Sequence, residues 1–342
     1  PGRPAFARGE MREALRLRIL SGMRPTGALH VGHLVGALEN WVSLQDAYEC
    51  YFAIVDWHAL TTEYSNPSAV SGHVREVALD WLSAGIDAGR SAVFVQSAVK
   101  EHAELHLLLS MIVPLPWLER VPTYKEQREQ LRDRDLNTYG FLGYPLLQAA
   151  DILAYRAQAV PVGEDQVPHV ELCREIARRF NHHYGEVFPE PRALLTPTPR
   201  IPGLDGRKMS KSYGNAIFLA EPHRTIEDKV LHRMVTDPAR KRRHDPGNPD
   251  LCPVFDHHKV FSAPSRVAWA AEGCRTAGIG CRDCKEALLE RHRARLDPIR
   301  ERRALLAERP GAVDEILRAG ADRARAAAAE TLRRVRAAIG IG

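Results

Sequence analysis

The chain contains a strand, a glycine-rich turn, a helix and a second strand within about 40 residues. Residues 16–20 alternate polar and apolar side chains, as a half-buried strand does, and residues 51–55 form an apolar run typical of a fully buried strand. Gly22, Pro25 and Gly27 mark a turn between them, and apolar residues then recur at helical spacing. A parallel sheet requires a helical crossover of this kind between its strands, so the unit predicts one.

Further strands are predicted over residues 93–95 and 159–162, separated by helical patterns. We therefore predict an α/β fold, a Rossmann-like doubly wound parallel sheet with ligands at the carboxyl ends of its strands. Beyond Ser212 strand patterns become scarce, and charged helical patterns dominate residues 224–340. This part of the chain is predicted to form an all-α domain.

Composition excludes some classes of protein and leaves others open. At 342 residues the chain is long enough for two domains, and its formal net charge of +5 permits a nucleic-acid partner. The longest apolar run, residues 105–116, is too short and too interrupted to span a bilayer. No secretory signal pattern opens the sequence, so a cytoplasmic location without membrane contact is expected.

Two motifs have residue types that suit polyphosphate chemistry. His30-Val31-Gly32-His33 follows the first turn, where backbone N–H groups favour anions and Gly32 has no Cβ to keep a nucleotide away. Lys208-Met209-Ser210-Lys211 lies far downstream among glycines, and both lysines could reach one pyrophosphate. The alternatives are a core or capping histidine pair and an exposed basic loop.

A third block follows the strand predicted over residues 159–162. Gly163 opens a turn, and Glu164, Asp165 and Gln166 present polar groups where a helix begins. This position suits a ribose or amino-group site.

The fourth block lies on a mainly apolar helix. Tyr144, Gln148 and Asp151 stand at positions i, i+4 and i+7, and so share one helical face. An aspartate is costly to bury there without a partner. That partner is either structural, such as a nearby arginine, or a ligand donor such as an indole N–H or an ammonium group.

Together these blocks resemble the bacterial tryptophanyl-tRNA synthetases, which are class I aminoacyl-tRNA synthetases. The resemblance extends from Arg18 to the C-terminus. The related tyrosyl enzymes share the fold, but the turn after Val162 and the Ala-Ala-Asp helix are of the tryptophanyl type. The matching segments, in the family's order and spacing, are Ser21-Gly22-Met23-Arg24-Pro25-Thr26-Gly27, Ile54-Val55-Asp56-Trp57-His58-Ala59, Ala149-Ala150-Asp151-Ile152-Leu153, Val162-Gly163-Glu164-Asp165-Gln166 and the lysine loop.

The resemblance implies a two-step reaction. Tryptophan would attack the α-phosphate of ATP, with Mg²⁺ accompanying the nucleotide, to give tryptophanyl-adenylate and pyrophosphate. The adenylate would then acylate the 2′-hydroxyl of the terminal adenosine of tRNA(Trp).

The resemblance also assigns site residues. The implied catalytic residues are His30, His33, Lys125, Lys208 and Lys211. The implied ATP-binding residues are Arg24, Gly32, His33, Gly163, Asp165, Lys208, Met209, Ser210 and Lys211. The implied tryptophan-binding residues are Leu20, Gly22, His58, Tyr144, Gln148, Asp151, Val160, Val162 and Gln166, with Asp151 accepting the indole N–H.

Some positions depart from the family pattern. Leu20 stands where many relatives carry an aromatic residue, and Gln148 where many carry methionine. An auxiliary copy of the family that accepts modified tryptophan is therefore one alternative. A non-catalytic tRNA-binding regulator is another, although neither the paired histidines nor the lysines are lost. A nucleotidyltransferase without a tRNA role is a third.

Four of the six cysteines lie in the last third of the chain: Cys252, Cys274, Cys281 and Cys284. A C-x2-C pair with two further thiols suits either zinc or an iron–sulfur cluster, and metal-free thiols are the alternative. A subgroup of the tryptophanyl enzymes has nearly this spacing and holds a four-iron cluster, so the resemblance implies a 4Fe–4S cluster or zinc here. The neighbouring His257 and His258 are predicted to be solvated.

The expected organisation has four parts. Residues 1–10 would be a disordered lead-in, and residues 11–214 the catalytic domain with both nucleotide motifs. Residues 215–295 would recognise the tRNA anticodon, and residues 296–342 would form helices that pack back on the catalytic domain. The resemblance also implies a homodimer.

Overall fold

The computed structural model describes residues 16–130, 135–195 and 201–342, so the predicted lead-in lies outside the described residues. No helix within these ranges is both long and apolar enough to cross a membrane. Two π-helical segments in the described ranges, Leu34–Leu38 and Lys229–Arg233, directly continue the helices Val31–His33 and His223–Asp228. The helices and strands, in chain order, are β1 (Arg18–Met23), α1 (Val31–His33), α2 (Glu39–Leu44), β2 (Glu49–Ile54), α3 (Asp56–Glu63), α4 (Pro67–Ala84), β3 (Ala92–Val95), α5 (Glu101–Ser110), α6 (Leu115–Glu119), α7 (Pro122–Gln130), α8 (Tyr139–Ala154), β4 (Ala159–Val162), α9 (Val167–Tyr184), β5 (Arg192–Leu195), α10 (His223–Asp228), α11 (Pro253–Phe261), α12 (Pro264–Arg275), α13 (Cys281–Ala307) and α14 (Pro310–Ile339).

The five strands of the described residues form one parallel sheet in the order β3-β2-β1-β4-β5. The predicted Rossmann-like α/β class, with a helical C-terminal part, is confirmed. Strand β5 was not among the predicted strands. This strand has only four residues, and it shows no burial alternation because it pairs with β4 alone at the edge of the sheet.

Alternation along the strands divides the core between the two faces of the sheet. Ile19 and Phe52 pack into one apolar cluster, whereas Leu20 and Ala53 pack into the other. Successive strand residues point to opposite faces, so helices must cover both sides of the sheet. This double burial explains why residues 51–55 form an uninterrupted apolar run.

The last helix, α14, lies along the outer strand β3. Arg323 donates to the carbonyl oxygens of Ala88 and Ser91, at 2.5 and 2.7 Å, just before that strand. Gly320 approaches β3 so closely that a Cβ built there would lie 1.9 Å from the Val93 carbonyl oxygen. The helix therefore covers an edge that would otherwise present unpaired backbone groups.

The helices α11 to α13 pack together beyond the sheet. His257 and His258 on α11 are both fully buried, so the prediction that they are solvated is wrong. His257 Nδ1 lies 3.2 Å from His292 Nε2 on α13, and burial lowers the pKa of His257 to about 4. The packing of α11 against α13 removes these side chains from water, which their position beside charged residues in sequence did not indicate.

Candidate active site

A cavity of about 820 Å³ opens at the carboxyl ends of β1 and β4. β1 pairs with β2 on one side and with β4 on the other. From β1 the chain continues to β2, and from β4 it continues to β5, so the two connections run in opposite directions across the sheet. Such a switch point is where doubly wound sheets bind ligands. The predicted site residues that line the cavity are Leu20, Gly22, Arg24, His58, Tyr144, Gln148, Asp151, Val160, Val162, Gly163, Gln166, Lys208 and Ser210.

The remaining predicted site residues are not part of this wall. Asp165 is exposed and accepts the Gln166 side-chain amide at 2.9 Å. Lys125 is exposed on α7. The others belong to the histidine motif and the lysine loop themselves: His30, Gly32, His33, Met209 and Lys211.

The paired histidines stand at the start of α1. The backbone N–H of His30 donates to His33 Nδ1 at 3.2 Å, so a neutral His33 carries its own proton on Nε2. The rings lie 3.8 Å apart, and a Cβ on Gly32 would lie 2.9 Å from His30 Nδ1. The neighbouring His30 ring therefore leaves little room for a side chain at Gly32.

Burial determines the charge of these histidines. It lowers the pKa of His30 to about 4, with a further contribution from the Lys211 charge. It lowers the pKa of His33 to about 3, and His30 and Lys211 add to this effect. Both rings are therefore neutral near pH 7. They can donate hydrogen bonds to phosphate, but they bring no positive charge.

These lowered pKa values predict acid sensitivity of the fold. Histidines in the unfolded chain titrate at about pH 6.5. Below that pH the unfolded chain therefore binds protons that the folded chain does not bind. The free energy of unfolding should fall as the pH drops from about 6.5 to about 4, by up to about 1.4 kcal/mol per pH unit for each histidine. Urea unfolding across this window should show a shallower pH slope for the His30→Gln/His33→Gln variant. His182→Gln, at an exposed position, is the control, and equal slopes would contradict the prediction.

The lysine loop is closed against the first turn. Lys211 Nζ donates to the carbonyl oxygens of Thr26 and Gly27, at 2.9 and 2.8 Å, while Lys208 lines the cavity. Buried Asn215 joins the loop together, because its Oδ1 accepts the Ser210 N–H at 2.9 Å and its amide donates to the Lys208 carbonyl at 3.2 Å. Asn215 was not predicted. The two lysines are thus held differently in this closed arrangement.

Asp151 is the buried carboxylate on the cavity wall. His102 Nδ1 lies 2.5 Å from its Oδ1, His58 Nε2 lies 2.8 Å from its Oδ2, and Gln96 Nε2 donates to both oxygens. Burial works to raise the pKa of Asp151, but the two histidines outweigh it and the pKa is lowered. In the part of the chain that the structure describes, its partners are therefore imidazoles and an amide.

Gln96 and His102 were not among the predicted site residues. Gln96 directly follows β3, so it lies at the carboxyl end of a parallel strand, as the other site residues do. That position in the sequence could have indicated a site residue. Neither residue lines the cavity, whereas His58 does. The carboxylate is thus held from outside the cavity by two partners and at the cavity wall by one.

A second group of hydrogen-bonded side chains contributes to the cavity wall. The Tyr144 hydroxyl is 3.0 Å from Thr123 Oγ1, which is 2.5 Å from His169 Nε2. Burial raises the pKa of Tyr144 and lowers the pKa of His169 to about 4, so both groups are neutral at pH 7. Tyr144 and His169 line the cavity and supply uncharged hydrogen-bonding groups.

The four late cysteines lie near one another without disulfides. Burial raises the pKa of Cys284 to about 12, and the neighbouring Cys252, Cys274 and Cys281 contribute. Arg240 Nη1 lies 3.9 Å from Cys274 Sγ. Within residues 16–130, 135–195 and 201–342, no three or more His, Cys, Asp or Glu side chains are arranged as a metal site. The structure therefore does not support the predicted metal site.

Similarity to known proteins agrees with this geometry. The family model for tRNA synthetases class I (W and Y) matches residues 12–297. A tryptophan–tRNA ligase of Thermotoga maritima is 56% identical, with 95% of this chain and 99% of that protein covered. One from Ralstonia nicotianae is 46% identical, with 95% and 98% covered.

A solved structure has the same fold. The crystal structure of tryptophanyl-tRNA synthetase from Campylobacter jejuni, complexed with ADP and tryptophan, matches with a TM-score of 0.86 at 33% identity. The match covers 95% of this chain and 100% of that one. The chain therefore belongs to the class I tRNA synthetases of the tryptophan and tyrosine type. The resemblance drawn from the sequence to the tryptophanyl branch is confirmed.

Proposed function

We propose that this chain is an ATP-dependent tryptophan–tRNA ligase, which forms tryptophanyl-adenylate and then charges tRNA(Trp). The observation that carries the proposal is the pairing, in one cavity, of a buried ionised Asp151 with Lys208. A carboxylate inside an apolar wall suits an indole N–H, and a lysine at the mouth suits phosphate. The cavity of about 820 Å³ is large enough for a small substrate and a nucleotide side by side.

The tryptophan half of the site is proposed to read the indole through Asp151. His102 and Gln96 hold the carboxylate outside the cavity, so the indole N–H would reach the oxygen beside His58. Val160, Val162 and Leu20 would contact the ring, and Gly22 would leave room beside it. The family assigns Tyr144 and Gln166 to the substrate amino group, and both line the cavity.

The nucleotide half is proposed to act by positioning and charge. The tryptophan carboxylate would attack the α-phosphate while neutral His30 and His33 donate hydrogen bonds and Lys208 stabilises the leaving pyrophosphate. Lys211 would join Lys208 once its bonds to Thr26 and Gly27 are exchanged for phosphate. Mg²⁺ is expected to arrive with ATP. The other proposed nucleotide contacts are Arg24, Gly32, Lys125, Gly163, Asp165, Met209 and Ser210.

The second step would transfer tryptophan to tRNA in the cytoplasm. We propose that residues 215–295 recognise the anticodon and that the enzyme acts as a homodimer, both by analogy with the family. Lys241 to His244 form an exposed basic run after Arg240, whose guanidinium donates to the carbonyl oxygens of Arg243 and Ile279. These exposed side chains suit salt-dependent contact with an RNA backbone. Helix α13 runs without interruption across residue 296, so the last two predicted parts share one helix.

A cluster at the late cysteines is a separate proposal. It is supported only by the spacing and mutual proximity of Cys252, Cys274, Cys281 and Cys284, and no reaction step depends on it. Protein purified without oxygen should contain iron, with visible absorbance that is lost in Cys284→Ser and retained in Cys173→Ser, a buried cysteine outside the group. Protein free of both iron and zinc would overturn the proposal.

The function is tested by amino-acid-dependent ATP–pyrophosphate exchange over the standard amino acids and ring-substituted tryptophans. We expect exchange with tryptophan, lost in Lys208→Ala and retained in Lys241→Ala, a matched lysine in the exposed basic run. Faster exchange with a substituted indole would favour the auxiliary enzyme, because Leu20 and Gln148 both line the cavity. No exchange by folded protein would favour the tRNA-binding regulator.

A further inference from the structure

Asp80 is a fully buried carboxylate in the interior of α4. A carboxylate is costly to bury unless hydrogen bonds or charges satisfy it. Its Oδ2 accepts the backbone N–H of Leu29 at 2.8 Å, and its Oδ1 accepts Nε of Arg303 at 2.8 Å. Leu29 immediately precedes His30, and Arg303 lies near the end of α13. One side chain therefore connects the C-terminal helices to the histidine motif.

The backbone around Leu29 is held from several directions. The Leu29 carbonyl accepts the N–H of Leu219 at 2.9 Å, and the N–H of Val31 donates to the Ile217 carbonyl at 2.9 Å. Residues 217–219 follow the lysine loop, so the two phosphate motifs are joined here by backbone bonds. Asp80 binds the remaining polar backbone group of Leu29, its N–H. A shift of that N–H would move the adjoining His30.

Arg303 opposes the effect of burial on the Asp80 carboxylate. Burial raises the pKa of Asp80, and the hydrogen bonds from Leu29 and Arg303 offset only part of this rise. Arg303 is mostly buried and also contacts Glu76 at 2.5 Å. Burial lowers the pKa of Lys211, and the charge of Asp80 opposes that effect. The same carboxylate thus acts on both phosphate motifs.

We propose that Asp80, oriented by Arg303, is a positioning residue for the ATP half of the reaction. It touches no substrate in this proposal; it sets the backbone from which His30 projects. The inference rests on the proposed function, because its expected effect is a change in the KM for ATP during tryptophan activation.

The first test compares two adjacent arginines on α13. Arg302 Nε donates to the Ser83 carbonyl on α4 at 2.7 Å, so it joins the same two helices without contacting Asp80. In ATP–pyrophosphate exchange, Arg303→Ala should raise the KM for ATP about tenfold, because small displacements of positioning groups have large effects. Its KM for tryptophan should stay within about twofold, and Arg302→Ala should change neither constant by more than that.

The second test uses pH. Without Arg303 the pKa of the buried Asp80 should rise further, so the KM for ATP of Arg303→Ala should fall as the pH rises, more steeply than in the wild type. Adding Asp80→Asn should abolish this extra dependence, because an amide does not titrate there. A purely structural contact would not produce a titration that Asp80→Asn removes.

Several outcomes would overturn the proposal. These are equal changes in both KM values, equal effects of Arg303→Ala and Arg302→Ala, or an unaltered pH profile. If Arg303→Ala does not fold, Arg303→Lys keeps the charge and should show a smaller increase in the KM for ATP. An equal change in the KM for tryptophan in that variant would contradict the proposal. If the wild type shows no exchange, the proposed function fails separately. The Leu29 amide should still exchange hydrogen faster in the Arg303 variant, and unchanged exchange would refute positioning.

Discussion

Asp151→Asn is expected to lower kcat/KM for tryptophan by roughly a thousandfold while changing the KM for ATP little. The amide preserves the shape of the carboxylate but replaces one acceptor oxygen with N–H donors. His58, Gln96 and His102 all use this carboxylate, so an indole N–H would compete for the single oxygen that is left. A site built to accept a hydrogen bond discriminates strongly, because an unpaired buried group is costly.

The measurement is steady-state ATP–pyrophosphate exchange with tryptophan and ATP varied in turn. Asp56→Asn is the matched control: this carboxylate lies at the start of α3 and accepts the N–H and hydroxyl of Ser97 at 3.0 and 2.5 Å. It does not line the cavity, so its loss should leave kcat/KM for tryptophan nearly unchanged. Thermal melts of both variants separate local misfolding from lost recognition. Wild-type kcat/KM in a folded Asp151→Asn protein would remove Asp151 from tryptophan recognition.

Gly320→Ala is expected to destabilise the protein by about 3 kcal/mol or more, although alanine is the better helix former. The new Cβ would lie 1.9 Å from the Val93 carbonyl oxygen and 2.6 Å from its carbon, both of them backbone atoms of β3. No side-chain rotation can relieve such a contact, so α14 must move away from the sheet. Arg323 would then lose its bonds to the carbonyls before β3.

Gly311→Ala provides the control within the same helix. Nothing lies within 4 Å of a Cβ built on Gly311, so alanine there should stabilise by about 0.5 kcal/mol through reduced backbone freedom in the unfolded chain. Urea unfolding of the two variants should therefore move the midpoint in opposite directions. A Gly320→Ala midpoint equal to that of the wild type would show that α14 does not press on β3 in solution.

Much of the catalytic half was predictable because burial follows the backbone period. The strand predicted over residues 159–162 matches β4, and helices separate the strands as predicted. The apolar run at residues 51–55 reports that both faces of the sheet are covered. The helical face shared by Tyr144, Gln148 and Asp151 is also local, and all three side chains line the cavity.

The partners of those side chains were not predictable in the same way. Asp151 clearly needed a partner, but His58, Gln96 and His102 come from three separate elements. The loop that carries the two lysines ties Lys211 to the turn at Thr26 and Gly27, and no local pattern indicated that contact. Such contacts depend on how distant elements meet.

The sequence by itself determined the parallel α/β class, the family and the positions of the phosphate motifs, because each depends on local period or on a short ordered motif. Only the tertiary structure decided what those motifs rest on. Asp80 meets Leu29 and Arg303, and Gly320 meets Val93, across separations that no local pattern encodes. The physical reason is that burial makes charge and volume depend on neighbours, and packing rather than periodicity chooses the neighbours.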